Sequence, residues 1–294
     1  MKKRLSAGER VIGKKIGVTS KAVMNMLGVY QPDFGYLTDG MVYNEGQAIP
    51  MSRLILAAAV CCALAGAAAA EPTEVVVRAQ AKDAKFIGES MGGVAITLTD
   101  ASGKVLASGM TAGGTGDTAK LVTNPRVRGQ AVAGPADAKF AATLDIAQPT
   151  LVTATAKGPM GKGDAAITAS SQMWLLPGKA VGGDGWVIEL PGLVVEPTLS
   201  TAGGLTVTAK VTLMCGCAIA PGTAWDADHY EVIATVMQGT RVVKAVPLAY
   251  AGTTSTFAAP VAGLAAGAYR VVITAHNSRT GNTGVAAREV RVGG

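Results

Sequence analysis

The chain is predicted to be all-β, with two antiparallel sandwich modules following an export signal. Three observations carry this. After residue 70 the chain is rich in Ala, Val, Thr and Gly and runs in short alternating segments. Those segments are broken by Gly, Pro and Asp turns every eight to twelve residues or so, the spacing of antiparallel sandwiches. No long stretch of helical period interrupts them.

In the first module, predicted at residues 71–192, the segments are Glu74–Gln80, Val94–Thr99, Val105–Ser108, Phe140–Ile146 and Leu151–Ala156. Asp100-Ala-Ser-Gly103 joins two of them as a hairpin turn. Its Asp can accept from the backbone ahead, and its Gly takes the positive φ that a Cβ disfavours. A boundary is expected at Pro191–Pro197, and the second module is predicted at 198–294. Its segments are Leu205–Leu213, Tyr230–Val236, Arg241–Val246, Ser255–Phe257, Ala268–Ala275 and Ala287–Val292. The phrase Gly267-Ala-Tyr-Arg-Val-Val-Ile-Thr-Ala275, with Tyr269 entering a late strand after Leu264-Ala-Ala-Gly267, resembles the penultimate strand of bacterial immunoglobulin-like and fibronectin-III-like modules. That resemblance implies a fold and no particular activity.

A second start lies well inside the chain. Met51-Ser-Arg53 supplies a positive flank, Leu54–Leu64 an apolar core, and Ala68-Ala-Ala70 small residues before Glu71. This is the layout of a secretory signal peptide at 51–70, cleaved between Ala70 and Glu71. The apolar run is short for a membrane span, which takes roughly 20 residues. Acylation at Cys61 is the lesser variant, because Ala58-Ala-Val-Cys61 is a poor lipid-attachment box. The expected location is periplasmic or secreted, with the membrane met only in transit.

Residues 1–50 are of another kind. The stretch Gly13-Lys-Lys-Ile-Gly-Val-Thr-Ser-Lys-Ala-Val-Met-Asn-Met-Leu-Gly-Val-Tyr-Gln-Pro-Asp-Phe-Gly-Tyr-Leu-Thr-Asp-Gly-Met-Val-Tyr43 closely resembles an internal segment of the 2-hydroxypenta-2,4-dienoate (2-keto-4-pentenoate) hydratases. The resemblance implies that Lys15, Ile16 and Gly17 correspond to a motif near the substrate site. It also implies a divalent metal held by a downstream Glu-x-Glu motif and a further carboxylate. The chain turns into the signal at Met51 instead, so the electrophile that would polarise a 2-oxo group is missing. An inactive, unstructured or partly structured hydratase-like leader, fused ahead of an exported protein, is expected.

Residues 1–70 hold eight of the 26 basic and four of the 20 acidic residues, leaving 18 against 16 in the body. A nearly neutral body has no electrostatic footprint for nucleic acid. The expected partner is a protein or a small ligand.

One constellation in the body can carry chemistry: Met214-Cys-Gly-Cys217, followed by Trp225, Asp226, Asp228 and His229. Two thiolates, a thioether and an imidazole are donors that select copper. Met214, Cys215, Cys217 and His229 are therefore the candidate metal ligands, with copper as the candidate cofactor. Two other readings stay open. Cys215 continues the inward alternation Val207, Ala209, Val211, Leu213 and can be a core thiol. The pair can also close a local disulfide, redox-active or structural, if the chain turns at Gly216.

Other candidates carry less. Thr111-Ala-Gly-Gly-Thr-Gly-Asp-Thr118 has the glycines of a phosphate loop without its Gly-Lys-Ser/Thr ending. Ser90, Ser170 and Ser171 lack a nucleophile-elbow setting. His276–Gly284 is expected as a polar loop, and Trp174, Trp186 and Trp225 as packing or sugar-stacking rings. No catalytic residue is assigned, and no enzyme activity is expected.

Overall fold

The computed structural model describes residues 37–38, 41–44, 47–50 and 70–293. The chain divides into two units, Met1–Ala67 and Ala68–Gly294. In the first, β1 (Leu37–Thr38), β2 (Met41–Asn44) and β3 (Gln47–Pro50) form a small antiparallel sheet. Lys15, Ile16, Gly17 and the signal segment up to residue 69, Ala68 included, lie outside the described residues.

The second unit is built from four sheets. β4 (Glu71–Ala81), β7 (Phe140–Ile146) and β10 (Val181–Leu190) make one, in the order β10-β4-β7. Facing it are β5 (Ala95–Asp100), β6 (Val105–Met110), β8 (Thr150–Gly158) and β9 (Ile167–Leu175), ordered β6-β5-β8-β9. The remaining strands are β11 (Leu193–Ser200), β12 (Leu205–Leu213), β13 (Tyr230–Gln238), β14 (Arg241–Pro247), β15 (Ala249–Tyr250), β16 (Thr256–Val261), β17 (Gly267–Asn277) and β18 (Thr283–Val292). They form sheets β11-β12-β16-β15 and β14-β13-β17-β18, antiparallel throughout.

Period-two burial explains these strands. In β12 Leu205, Val207, Ala209, Val211 and Leu213 are buried, and in β17 Tyr269, Val271, Ile273 and Ala275. The Tyr269 hydroxyl donates to the Ala265 carbonyl at 2.9 Å. A tyrosine at the start of the penultimate strand bonding back to upstream backbone is a hallmark of immunoglobulin-like sandwiches. The hairpin at Asp100 also forms as expected. Its carboxylate accepts from Ser102 N, Ser102 Oγ and Lys104 N, and Gly103 has φ +85°.

Two features depart from the sequence reading. β10 runs parallel to β4, with a register shift between Val181 and Trp186. Parallel neighbours need a long crossover, and here the opposite sheet supplies it. Second, β11 starts at Leu193, ahead of the expected 198, with Pro197 opposite Ala209. Proline is tolerated there because β11 is an edge strand whose free side needs no donor. Only Pro191 and Gly192 separate the sandwiches, and one continuous apolar core runs from Val75 to Ala286.

Candidate functional site at the sandwich junction

The turn after β4, the loop between β12 and β13 and the loop between β17 and β18 meet where the two sandwiches join. Asn282, 3% exposed, accepts from Gly192 N at 2.9 Å through Oδ1 and donates to the Lys82 carbonyl at 3.1 Å through Nδ2. The Trp225 indole N–H donates to the Asp83 carbonyl at 3.0 Å, and Lys82 N to the Leu190 carbonyl at 3.1 Å. Lys162 pairs with Glu196 at 2.7 Å, a half-exposed bridge of small energetic weight.

The cysteines lie on a tight turn. Gly216 N donates to Leu213 O at 2.8 Å, Leu213 N to Cys217 O at 3.3 Å, and Gly216 has φ +75°. This is a three-residue hairpin loop closed by a left-handed residue, which glycine adopts at least cost. The turn draws Cys215 and Cys217 to a Cα–Cα distance of 5.3 Å, and they form a disulfide. The turn also lies against the first sandwich: a Cβ at Gly216 would come 2.7 Å from the Met91 sulfur, so that flexible side chain would have to move. The loop roofs a crevice of about 410 Å³ whose walls include Met91, Lys162, Glu196, Lys210 and Thr212.

The four candidate metal ligands do not converge. Cys215 and Cys217 bond to one another, and Met214 is buried with its sulfur beside Gly192. His229 lines a different crevice. Among the described residues no three His, Cys, Asp or Glu side chains gather as a metal site would need. The turn at Gly216 is the physical reason, since it points the two sulfurs at each other. For a loop of this length, chain entropy predicts that the Cys215→Ser/Cys217→Ser variant loses about 1.6 kcal/mol. Denaturant titration checks this; a wild-type midpoint in the variant would refute it.

The second crevice, of about 320 Å³, is lined by Asp83, Trp225, Asp226, His229, Asn277 and Arg279 among others. Asp226 caps the 3₁₀ turn Ala227–His229: Oδ1 accepts from Asp228 N at 3.1 Å and Oδ2 from Gly222 N at 2.9 Å. Those backbone donors hold its carboxyl below the usual range. The Arg279 guanidinium donates to His229 Nε2 at 3.2 Å, which puts the ring proton on Nδ1. Asn277 Oδ1 accepts from Arg279 N and Thr280 N, fixing the loop.

Tyr230 lies under this crevice. Burial pushes its phenol up to about 12; the Asn277 side chain opposes the shift and Asp83 adds to it. The unfolded chain releases that proton near pH 10 and the folded chain near 12, so the unfolded state binds fewer protons in between. Stability is therefore full below pH 10 and is lost as pH rises toward 12. Denaturation midpoints across that range should fall in the wild type and flatten in Tyr230→Phe; parallel curves would contradict the assignment.

Other sequence candidates are accounted for structurally. His276 lies in β17 opposite Thr283, because β17 runs on to the buried Asn277 and shortens the expected polar loop to residues 278–282. Thr111 begins the glycine loop as a buried acceptor for Val94 N, and Gly113 packs on the Ala136 carbonyl. Ser171 accepts from the buried Trp186 indole, Ser170 is exposed on β9, and Ser90 lines the disulfide crevice. Trp174 is 62% exposed on the edge strand β9.

Sequence reasoning missed Arg78. It is 3% exposed and donates to four carbonyls: Asp184 at 3.1 Å, Asp137 at 2.6 Å, Ala138 at 2.9 Å and Gly134 at 3.3 Å. The same guanidinium lies 5.2 Å from the Phe86 ring centroid. An Arg beside three valines was the available signal.

No family model matches the chain. It is 73% identical over 56 residues to a 2-hydroxypent-2,4-dienoate hydratase of Pseudomonas putida, covering 19% of this chain and 25% of that protein. Against a 2-hydroxyhexa-2,4-dienoate hydratase of Comamonas testosteroni it is 65% identical over 48 residues, 16% of this chain and 18% of that one. The likeness to hydratases is a fragment. The chain thus spans a quarter or less of the length of these curated relatives. Among solved structures, a tetra-tandem repeat from the extending region of a large adhesion protein aligns over 76% of this chain and 49% of its own, at TM-score 0.24 and 14% identity. The four N-terminal Ig domains of Dscam1 isoform 6.44 align over 76% and 50%, at TM-score 0.22 and 12% identity. Sheet pairing and the Tyr269 corner, not these scores, define the fold.

Proposed function

We propose that this chain is an exported, non-catalytic binding protein whose ligand enters the crevice between the 3₁₀ turn at Ala227–His229 and the Arg279 loop. The observation that carries the reading is the state of the polar side chains there. Both Asp226 oxygens, the His229 Nε2 and the Asn277 Oδ1 are already held by neighbours. Groups so held present a fixed surface rather than a poised acid or base, and loops at one end of a sandwich are where binding residues collect. Carboxylates, an amide and a guanidinium around an indole suit a small polar ligand carrying both donors and acceptors. The test is ligand-observed NMR with monosaccharides, amino acids and small carboxylates, comparing wild type with Arg279→Ala. A ligand whose signal is lost in the variant supports the reading; no ligand, or equal binding by both proteins, overturns it.

Export is supported by the Met51–Ala70 pattern and by the disulfide, which belongs to oxidising compartments. Cleavage before Glu71 leaves β4 whole, since that strand starts there. Intact mass of the native protein tests this, and a mass beginning at Met1 would end it. The copper reading is narrower. It needs the Cys215–Cys217 bond reduced, and the thioether next to the turn is that of Met91. Cu(I) titration of the reduced protein decides it: equal binding by Cys215→Ser/Cys217→Ser sinks the reading. The leader, lacking the acidic metal motif, is expected to hydrate 2-hydroxypentadienoate at background rate only.

A further inference from the structure

We propose that the β6–β7 connection carries a processing site for a trypsin-like serine protease, cut after Arg126 or Arg128, and that the cut chain stays folded. Thr123–Ala131 is the longest unbroken run of exposed residues in 70–293, and Val127 at its tip is 62% exposed. Between residues 125 and 131 a single backbone bond forms, Gln130 N to Val127 O at 3.2 Å. A protease binds its substrate as an extended strand through main-chain hydrogen bonds, so a segment with free backbone groups fits without unfolding. The guanidinium of either arginine supplies the cation that such enzymes read, followed by a small residue, Val127 or Gly129.

Other basic residues in turns are poorer substrates. Lys104 sits in the Asp100-capped hairpin, Lys179 in a turn tied to β4 by Gly178 N donating to Thr73 Oγ1 at 3.0 Å, and Arg279 in the Asn277-capped loop. The Val127–Gln130 turn that holds Arg128 has no such tie among the described residues. Arg241 and Lys244 are held in the β13–β14 ladder.

Both sides of the cut are anchored. Upstream, Leu121 is buried in a small core with Phe86 and Ala138. Downstream, Val132 N and Ala133 N donate to Asp184 Oδ1 at 2.7 and 2.8 Å, and Arg78 holds the Gly134, Asp137 and Ala138 carbonyls. In the reaction water adds across one amide, leaving an arginine carboxylate and a new ammonium on Val127 or Gly129.

The test is brief digestion of the full chain with trypsin, with cuts located by intact mass and by sequencing the new N-termini. Within residues 71–293 the first cut is expected after Arg126 or Arg128. The two pieces should co-elute in native size exclusion and part only in denaturant. Arg126→Gln/Arg128→Gln should slow that first cut by about tenfold or more, because local cleavage no longer outruns opening elsewhere. A first cut elsewhere in 71–293, an unchanged rate in the variant, or pieces that separate without denaturant would each overturn the proposal.

Discussion

Replacing Arg78 by Met should destabilise the folded chain by about 3–5 kcal/mol, mainly by stripping partners from one buried and three half-buried carbonyls. The guanidinium reaches the carbonyls of Gly134, Asp137, Ala138 and Asp184, which belong to two different segments. Burial pushes its pKa down, while the nearby Asp137 and Asp184 carboxylates act to raise it. Met fills the volume but donates nothing, so each carbonyl keeps its desolvation penalty with no bond in return. Arg78→Lys should recover only part of the loss, because one ammonium cannot span a planar fork of donors. Guanidinium chloride titration measures both. The damage should also be local at first: amide exchange in residues 130–139 should speed up before that of β12 or β17. A Met variant within about 1 kcal/mol of wild type would mean that water satisfies those carbonyls and that the fork is dispensable.

The parts of the fold legible in the sequence are those where one face is dry and the other wet. β12, β13 and β17 alternate cleanly, and their spans were readable to within a few residues. β9, β10 and β11 were not read. β9 is an edge strand whose residues are mostly exposed, so its apolar alternation is faint. β10 carries Gly183 and Gly185 at φ +63° and +76°, and the register shift there breaks the period. β11 contains Pro197, which argues for a boundary unless the strand is known to lie at an edge.

The site was legible in kind and not in arrangement. Cys215, Cys217, Trp225, Asp226 and His229 were singled out by residue type, and all lie near the junction. The disulfide closed by a turn at Gly216 was one of the readings left open, and the chain takes it; spacing did not choose it over the metal site, nor say that Trp225 and His229 belong to a separate crevice. The partners that complete each crevice, Met91 and Lys162 in one, Asp83, Asn277 and Arg279 in the other, come from distant segments. Packing of one sandwich on the other brings Met91, Lys162 and Asp83 to their crevices, whereas Asn277 and Arg279 reach His229 through the pairing of β13 with β17 inside one sandwich.

Asn282 bridges the link between the sandwiches to the turn after β4, and Asn282→Leu should remove about 2–5 kcal/mol of stability. Leucine matches the amide in shape, so the loss isolates hydrogen bonding from cavity formation. Gly192 N can only donate and the Lys82 carbonyl can only accept, which fixes the amide orientation without ambiguity. Deleting the amide orphans both, one in the two-residue link between the sandwiches and one in the turn after β4. Asn282→Asp should lose at least as much, since a buried carboxylate with no cation bonded to it among the described residues still accepts from Gly192 but opposes the Lys82 oxygen. The wild type, with one continuous core, should melt in a single transition. In Asn282→Leu the denaturant slope should drop as the sandwiches begin to unfold separately. If midpoint and slope both stay at wild-type values, the junction is held by the apolar core alone, and the polar bridge over Gly192 merely decorates it.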